Sequence, residues 1–287
     1  MSIIISNYLN KKQALKKHLN DFGLIFFNNE YDYNNWAQEK IINSNISKYD
    51  KNKYLYYIST NNTKKPYCLN IAFYNLVSKY LDLSVVLHSM KAEDILVSGS
   101  SVSKHLSDSS DILDLGCNVG YLSSFYSKLF KNSKVTGFDA SQNSIRLAKK
   151  IYNKDIYKNL YFSSNYTFIK EKKFDYILDT QCLCSLSRNE LSKITIKISK
   201  ILKTSGKIIS ISSLSNESKA HNFINNFSKN NLYVESISDV FVNTIYGIRA
   251  YTKIIITKKK INHIIQIENY YKKLRVKMSL LNFFNTF

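Results

Sequence analysis

Between residues 111 and 212 short apolar runs alternate with amphipathic stretches, and no other feature limits the fold as much. The runs ILDL (112–115), KVTGF (134–138), LYF (160–162), DYILD (175–179) and KIISIS (207–212) have strand length. Stretches near 119–131, 141–152 and 188–203, with a weaker one at 216–229, carry helical spacing. This alternation predicts an α/β fold with a doubly wound parallel sheet covered by helices on both faces. YVESISDVFV (233–242) and AYTKIIITK (250–258), joined by a short loop with Gly247, read as a C-terminal hairpin adding one antiparallel strand. Residues 1–105 read instead as helices over 8–19, 36–46, 69–81 and from 92 onward. Leu69, Phe73, Leu76, Val77 and Tyr80 show the three- and four-residue recurrence of a buried helix face. NNTKK (61–65) before Pro66 is a plausible break. Three segments follow: a helical cap over 1–105, an α/β core over 106–257 and a basic amphipathic helix over 258–287.

Composition narrows the setting. With 287 residues and 44% hydrophobic content, the chain can bury a core without disulfides. No apolar run approaches the 18 or so residues of a membrane span, and the first residues lack a signal peptide's apolar stretch. Four cysteines do not make a disulfide framework, so a reduced, cytoplasmic protein is expected. The net charge of +20 invites a nucleic-acid reading. Only Arg146, Arg188, Arg249 and Arg275 are arginines, however, and the rest of the basic residues are lysines. Phosphate recognition favours the arginine fork. Abundant Lys, Asn, Ile and Tyr beside 7 Gly and 1 Pro match AT-rich coding.

The chemistry concentrates in DILDLGCNVGYLSS (111–124). A strand ends at Asp114-Leu115, a loop holds Gly116 and Gly120, and a helix follows. Glycine lets the backbone turn tightly and brings its N–H groups close to a ligand. A second acid, Asp139, ends the next strand 19 residues beyond Gly120, where a carboxylate can accept both hydroxyls of a ribose. The dinucleotide fingerprint fails, because Asn118 and Tyr121 stand at its second and third glycine positions.

The loop resembles the acidic-x-Gly-x-Gly-x-Gly motif of class I S-adenosylmethionine (SAM)-dependent methyltransferases, with Asn118 for the middle glycine. Asparagine is the side chain that best tolerates positive φ. The resemblance runs over about 109–257, through FDYILDTQCLCSLS (174–187) and ILKTSGKIISIS (201–212), nearest to the small-molecule methyltransferases. It implies a Rossmann-like sheet with SAM as cofactor. On the family pattern Asp114, Gly116, Cys117, Asn118 and Gly120 would hold the methionine part, Asp139 the ribose, and Ala140 the adenine. Asn165 and Tyr166 take the place of the acid that meets the adenine amino group. Asp179 and Thr180 would face the methionine or the methyl-transfer pocket.

Other signals are weaker. Cys182 and Cys184 form a C-x-C pair without a second cluster, which is poor zinc spacing, and no metal is expected. Of the histidines His18, His88, His105, His221 and His263, His88 and His105 are the candidates for a general base, with Asp179 beside them. An amine or thiolate acceptor would need no strong base, and positioning would supply much of the acceleration. The tail places Ile267, Tyr270, Tyr271, Leu274, Met278 and Leu281 at helical spacing between basic residues. A final helix docked on the domain or on a second subunit is the simpler reading than one laid on lipid or RNA. The terminal helices are also where an oligomer would form.

The expected function is methyl transfer to a small-molecule acceptor, with specialised metabolism as its setting, under the aromatic-rich cap of residues 1–105. The alternative is RNA methylation through the basic surface. A third reading, a SAM-binding partner without catalysis, is not excluded by the loop; intact Asp114, Gly116, Gly120 and Asp139 oppose only loss of the cofactor.

Overall fold

The computed structural model describes residues 2–59, 67–214, 217–260 and 267–284. The break at 61–65 with Pro66, His263, and the side chains of Cys68, Ile267, Met278 and Leu281 lie outside what is described. Six helices come first: α1 (Ser2–Asp21), α2 (Glu30–Ile42), α3 (Lys48–Ser59), α4 (Tyr67–Val77), α5 (Leu81–Met90) and α6 (Ala92–Ser103). The alternating region follows as β1 (Asp111–Leu115), α7 (Tyr121–Leu129), β2 (Lys134–Phe138), α8 (Gln142–Ile151), β3 (Leu160–Ser163), a single-turn α9 (Thr167–Lys170) and β4 (Phe174–Thr180). A 3-10 turn (Leu183–Ser185) leads to α10 (Arg188–Ile201), β5 (Leu202–Ser212), α11 (Glu217–Ser228), β6 (Tyr233–Thr244), β7 (Gly247–Thr257) and α12 (Ile267–Phe284).

The strands make one seven-stranded sheet in the order β3-β2-β1-β4-β5-β7-β6. β1 to β5 pair in parallel, while β7 is antiparallel to both β5 and β6. The Rossmann-like fold with its reversed strand is therefore present. Period-two alternation divides the central strands between two covered faces. Ile112, Leu178, Ile209 and Ile211 pack in the layer that holds Leu122 and Phe125 of α7. Leu113, Ile177, Ile208 and Ile254 pack in the opposite layer with Leu191 of α10 and Phe223 of α11.

The segment before β1 divides in two. Leu15 and Leu19 of α1 and Leu96 and Val102 of α6 are buried within the first sheet layer. Tyr33 of α2, Tyr54 of α3, Val77 of α4 and Val86 of α5 form a separate cluster. The helix expected over 69–81 ends at Val77, because Tyr80 is extended (φ −126°, ψ 133°). Lys79 Nζ and Tyr80 Oη both donate to Asp50 of α3 at 2.6 Å, anchoring the chain at the break. Helix α3 itself is not marked by the sequence pattern, since its buried Tyr54 sits among lysines and exposed tyrosines.

The last helix docks on the domain. Tyr271 is buried against the second sheet layer, and its hydroxyl donates to Leu214 O at 3.0 Å. Tyr270 and Leu274 pack beside it, and Lys277 pairs with Asp239. Much of the apolar stripe is thus consumed within the chain. No helix among the described residues is long and apolar enough to cross a membrane.

His18 ties α1 to α7. Its Nε2 lies 2.9 Å from Ser124 Oγ and 3.2 Å from Tyr121 O. Burial, with Lys128 adding to it, lowers the imidazole pKa to about 4. As pH falls the unfolded imidazole, titrating near 6.5, takes up its proton first. The stabilisation is whole above pH 6.5 and is lost as pH falls to 4, by roughly 3 kcal/mol. Urea melts at pH 7 and pH 4.5 should show His18→Gln losing less stability over this interval than the natural chain.

Candidate active site

The direction of winding reverses between β1 and β4: β2 and β3 lie to one side of this pair and β5 to the other. Open α/β sheets bind ligands at the carboxyl ends of the strands at such a point. Three acids stand at those ends. Asp114 is the penultimate residue of β1, Asp139 follows β2, and Asp179 is the penultimate residue of β4.

The β1–α7 loop turns through three left-handed residues, Gly116 (φ +75°), Asn118 (φ +51°) and Gly120 (φ +85°). A Cβ on Gly116 would lie 2.5 Å from the Cβ and Sγ of Cys182, so the loop sits directly against the exit of β4. Gly116 and Cys117 donate their N–H groups to Phe138 O at 2.7 and 3.1 Å, which fixes the loop to the end of β2. Asn118 N donates to Asp139 Oδ2 and Ser141 N to Asp139 Oδ1, each at 2.8 Å. A carboxylate offers about four lone-pair sites, so Asp139 keeps two for further donors. Asn118 Oδ1 is buried without a partner.

Asp114 is 1% exposed and accepts from Ser123 Oγ at 2.5 Å. Burial raises its pKa to about 6, and the charges of Asp139 and Asp179 push the same way while Ser123 opposes. Burial also raises Asp139 and Asp179 above the usual carboxylate range. The edge thus holds acids that gain by meeting a cation.

Asp179 departs from its expected role. It is fully buried, with Oδ1 accepting from the N–H groups of Cys182 and Leu183 and Oδ2 from Ser210 Oγ and Ser212 Oγ. Ser212 shares its one hydroxyl hydrogen between Asp179 at 3.3 Å and Ser210 Oγ at 2.8 Å, and the set joins the ends of β4 and β5 and starts the 3-10 turn. Thr180 and Ala140 are half-buried at the carboxyl ends of β4 and β2. Asn165 is exposed after β3, its Oδ1 accepting from Thr167 N at 2.9 Å. Tyr166 packs against the second sheet layer, with Lys197 Nζ 4.5 Å from its ring centre.

Burial makes both expected histidines weaker bases than a free imidazole. His88 is buried, its Nδ1 2.6 Å from Ser84 O and its ring edge-on to Tyr121, and burial lowers its pKa to about 4. His105 Nε2 lies 3.2 Å from Lys253 Nζ on β7, and burial lowers it too. Burial lifts the Cys117 and Cys182 thiols well above their usual value and Cys184 to about 11, so all three stay protonated at neutral pH. Among the described residues no group of three or more His, Cys, Asp or Glu side chains could hold a metal ion. Sequence reasoning passed over Ser123, Ser210 and Ser212, because a hydroxyl's partner is set by the fold and not by spacing. It also passed over Gln181, two residues beyond Asp179 in the quoted motif.

A glycine loop fixed to an acid at the switch point defines a nucleoside-binding α/β protein. A sequence model of the methyltransferase domain matches residues 106–274, more than half of the chain, and the protein belongs to the class I SAM-dependent methyltransferases. Its cofactor is SAM. Many solved structures share the fold. Mitomycin 7-O-methyltransferase MmcR is 14% identical with a TM-score of 0.52, over 65% of this chain and 60% of that one. A TehB-like SAM-dependent methyltransferase from Corynebacterium glutamicum is 16% identical with a TM-score of 0.45, over 57% and 88%. A SAM-dependent methyltransferase from Aquifex aeolicus is 16% identical with a TM-score of 0.47, over 58% and 96%. No curated protein matches the sequence.

The residues present fit this cofactor: its ammonium and sulfonium suit a cluster of acids, and Asp139 retains acceptors for a ribose. Burial holds Asp114 at a pKa of about 6, so where Asp114 receives the cofactor's ammonium, as proposed below, binding below that pH must first remove a proton. SAM affinity should be flat above pH 6 and fall by up to about tenfold per pH unit below it. Ser123→Ala, which removes the bond that favours the carboxylate, should move the break upward. Calorimetry across pH 5–8 checks both.

Proposed function

We propose that the protein transfers a methyl group from SAM to a small molecule held between helices α4–α5 and the carboxyl ends of the strands. One observation carries this reading: α4 is fastened to the β2–α8 junction beside Asp139. Ser141 Oγ donates to Asn75 Oδ1 at 2.6 Å, Asn143 Nδ2 donates to Asn75 O at 2.8 Å, and Ser78 and Ser144 share a 2.8 Å hydroxyl contact. A helical lid fixed this close to a nucleoside site favours an enclosed acceptor, whereas a polymer needs an open track.

In this reading Asp139 holds the ribose, Asp114 and the Gly116–Gly120 loop with Cys117 and Asn118 bound the methionine part, and Ala140 lies beside the adenine. Asn165, Tyr166 and Thr180 complete the rim. Bound SAM supplies an electrophilic methyl group on a sulfonium. The chain's own residues orient it, hold the acceptor in line and exclude water, which is where positioning lowers the barrier. With the basicity of His88 and His105 lowered by burial, an acceptor that arrives with its own lone pair, an amine or a thiolate, suits the site best. The free thiols Cys117, Cys182 and Cys184 support a reducing, cytoplasmic setting.

The test is transfer of tritium from labelled SAM into cell extract, separated into small-molecule and RNA fractions. Label in the small-molecule fraction is expected. Label confined to RNA, with submicromolar RNA binding that survives about 200 mM salt and depends on residues 258–287, would replace this reading with RNA methylation.

A further inference from the structure

Two residues at the switch point combine a left-handed backbone with an orphaned amide atom. Asn118 follows β1 with φ +51° and a buried, unpartnered Oδ1. Gln181 follows β4 with φ +66°, and among the described residues its Nε2 is the one buried side-chain nitrogen with no hydrogen-bond partner. A side chain other than glycine held at positive φ is strained, and such strain collects at ligand sites. A buried donor left unpaired is costly and asks for an acceptor.

The amide of Gln181 is oriented by the fold. Its Oε1 accepts from Ser213 N at 3.1 Å and from Cys184 Sγ at 3.6 Å, while its backbone N donates to Ile211 O at 2.9 Å. With the oxygen engaged, Nε2 must be the end that is left. It is a pure donor, so it recognises an oxygen or an unprotonated nitrogen.

The cofactor carries such a group in its methionyl carboxylate. Of the loop's backbone N–H groups, those of Gly116, Cys117, Asn118 and Gly120 are already taken by Phe138 O, Asp139 and Cys117 O, so a side-chain donor from the β4 side adds to what the loop itself offers. The neighbouring side chains Asp114, Asp139 and Asp179 are acids and repel an anion.

We infer that Gln181 is a positioning residue whose Nε2 donates to the methionyl carboxylate of SAM, fixing the amino-acid end of the cofactor from the β4 side. This rests on the placement of the cofactor at the switch point proposed above. The ammonium then falls to the acids and the carboxylate to the amide. That division orients the sulfonium, and with it the methyl group, relative to the lid.

The experiment is calorimetry on the full chain with S-adenosylhomocysteine and with its decarboxylated analogue, which keeps the amine. Gln181→Met preserves length and adds no charge but removes the donor. Gln181→Asn tolerates positive φ and falls one methylene short. Both should weaken S-adenosylhomocysteine about tenfold or more, the loss of one hydrogen bond to a charged group, and leave the decarboxylated analogue within about twofold. Unchanged S-adenosylhomocysteine affinity in either folded variant, or equal losses for both ligands, would overturn the inference. Asp139→Ala is measured alongside. If it too leaves S-adenosylhomocysteine affinity unchanged, the underlying placement has failed, and the inference falls with it. If it weakens binding while the Gln181 variants do not, only the role of Gln181 is lost.

Discussion

Asp139→Ala is expected to weaken SAM binding by two to four orders of magnitude. The carboxylate has lone pairs left for both ribose hydroxyls, and each hydrogen bond to a charged acceptor is worth about 1.5–3 kcal/mol. Losing two therefore costs roughly 3–6 kcal/mol, at about 1.4 kcal/mol per tenfold in affinity. The same side chain receives Asn118 N and Ser141 N. Its removal thus also frees the tip of the β1–α7 loop from the start of α8. Asp139→Asn keeps one carbonyl oxygen as acceptor and should fall between the two. Calorimetry with SAM reads the loss, and affinity equal to that of the natural chain in Asp139→Ala would remove the nucleoside from this edge of the sheet.

Gly120→Ala should be strongly destabilising. Gly120 caps α7 at φ +85°, where a Cβ is strained whatever the space around it. That Cβ would also stand 2.5 Å from Cζ and 2.6 Å from Cε1 of Phe162, with Tyr152 at 3.2 Å. Phe162 is buried and stacked on Tyr152 at 5.6 Å, so the ring cannot swing away freely. Left-handed strain of about 1–2 kcal/mol and overpacking of about 1–3 kcal/mol add to roughly 2–5 kcal/mol. A chain of this size should then melt about 3–8 °C lower. Phe162→Leu in the same chain should recover part of the overpacking cost and none of the backbone strain. A melting temperature unchanged by Gly120→Ala would contradict the close packing of loop and ring.

The left-handed loop at the carboxyl edge of the sheet was legible in the sequence because its requirements are local. A left-handed turn between strand and helix needs residues such as Gly116, Asn118 and Gly120. Asp139, the residue we propose for the ribose, directly follows the adjacent strand. The strands were legible for the same reason: helices on both faces force continuous apolar runs, and those runs stand at fixed intervals in the chain.

What only the tertiary structure decided depends on partners distant in sequence. Asp179 reads as a site acid in its motif, yet Ser210 and Ser212 arrive from β5 and engage its Oδ2. The helix expected over 69–81 is cut because Asp50, about thirty residues earlier, binds Lys79 and Tyr80. Helix α1 joins the sheet core through Leu15 and Leu19, although the pattern groups it with the cap. The orphaned amide of Gln181 exists because Ser213 takes its oxygen. Periodicity and glycine placement act over a few residues and leave a mark in the sequence. Hydrogen bonds across the sheet close only when the fold brings their two ends together.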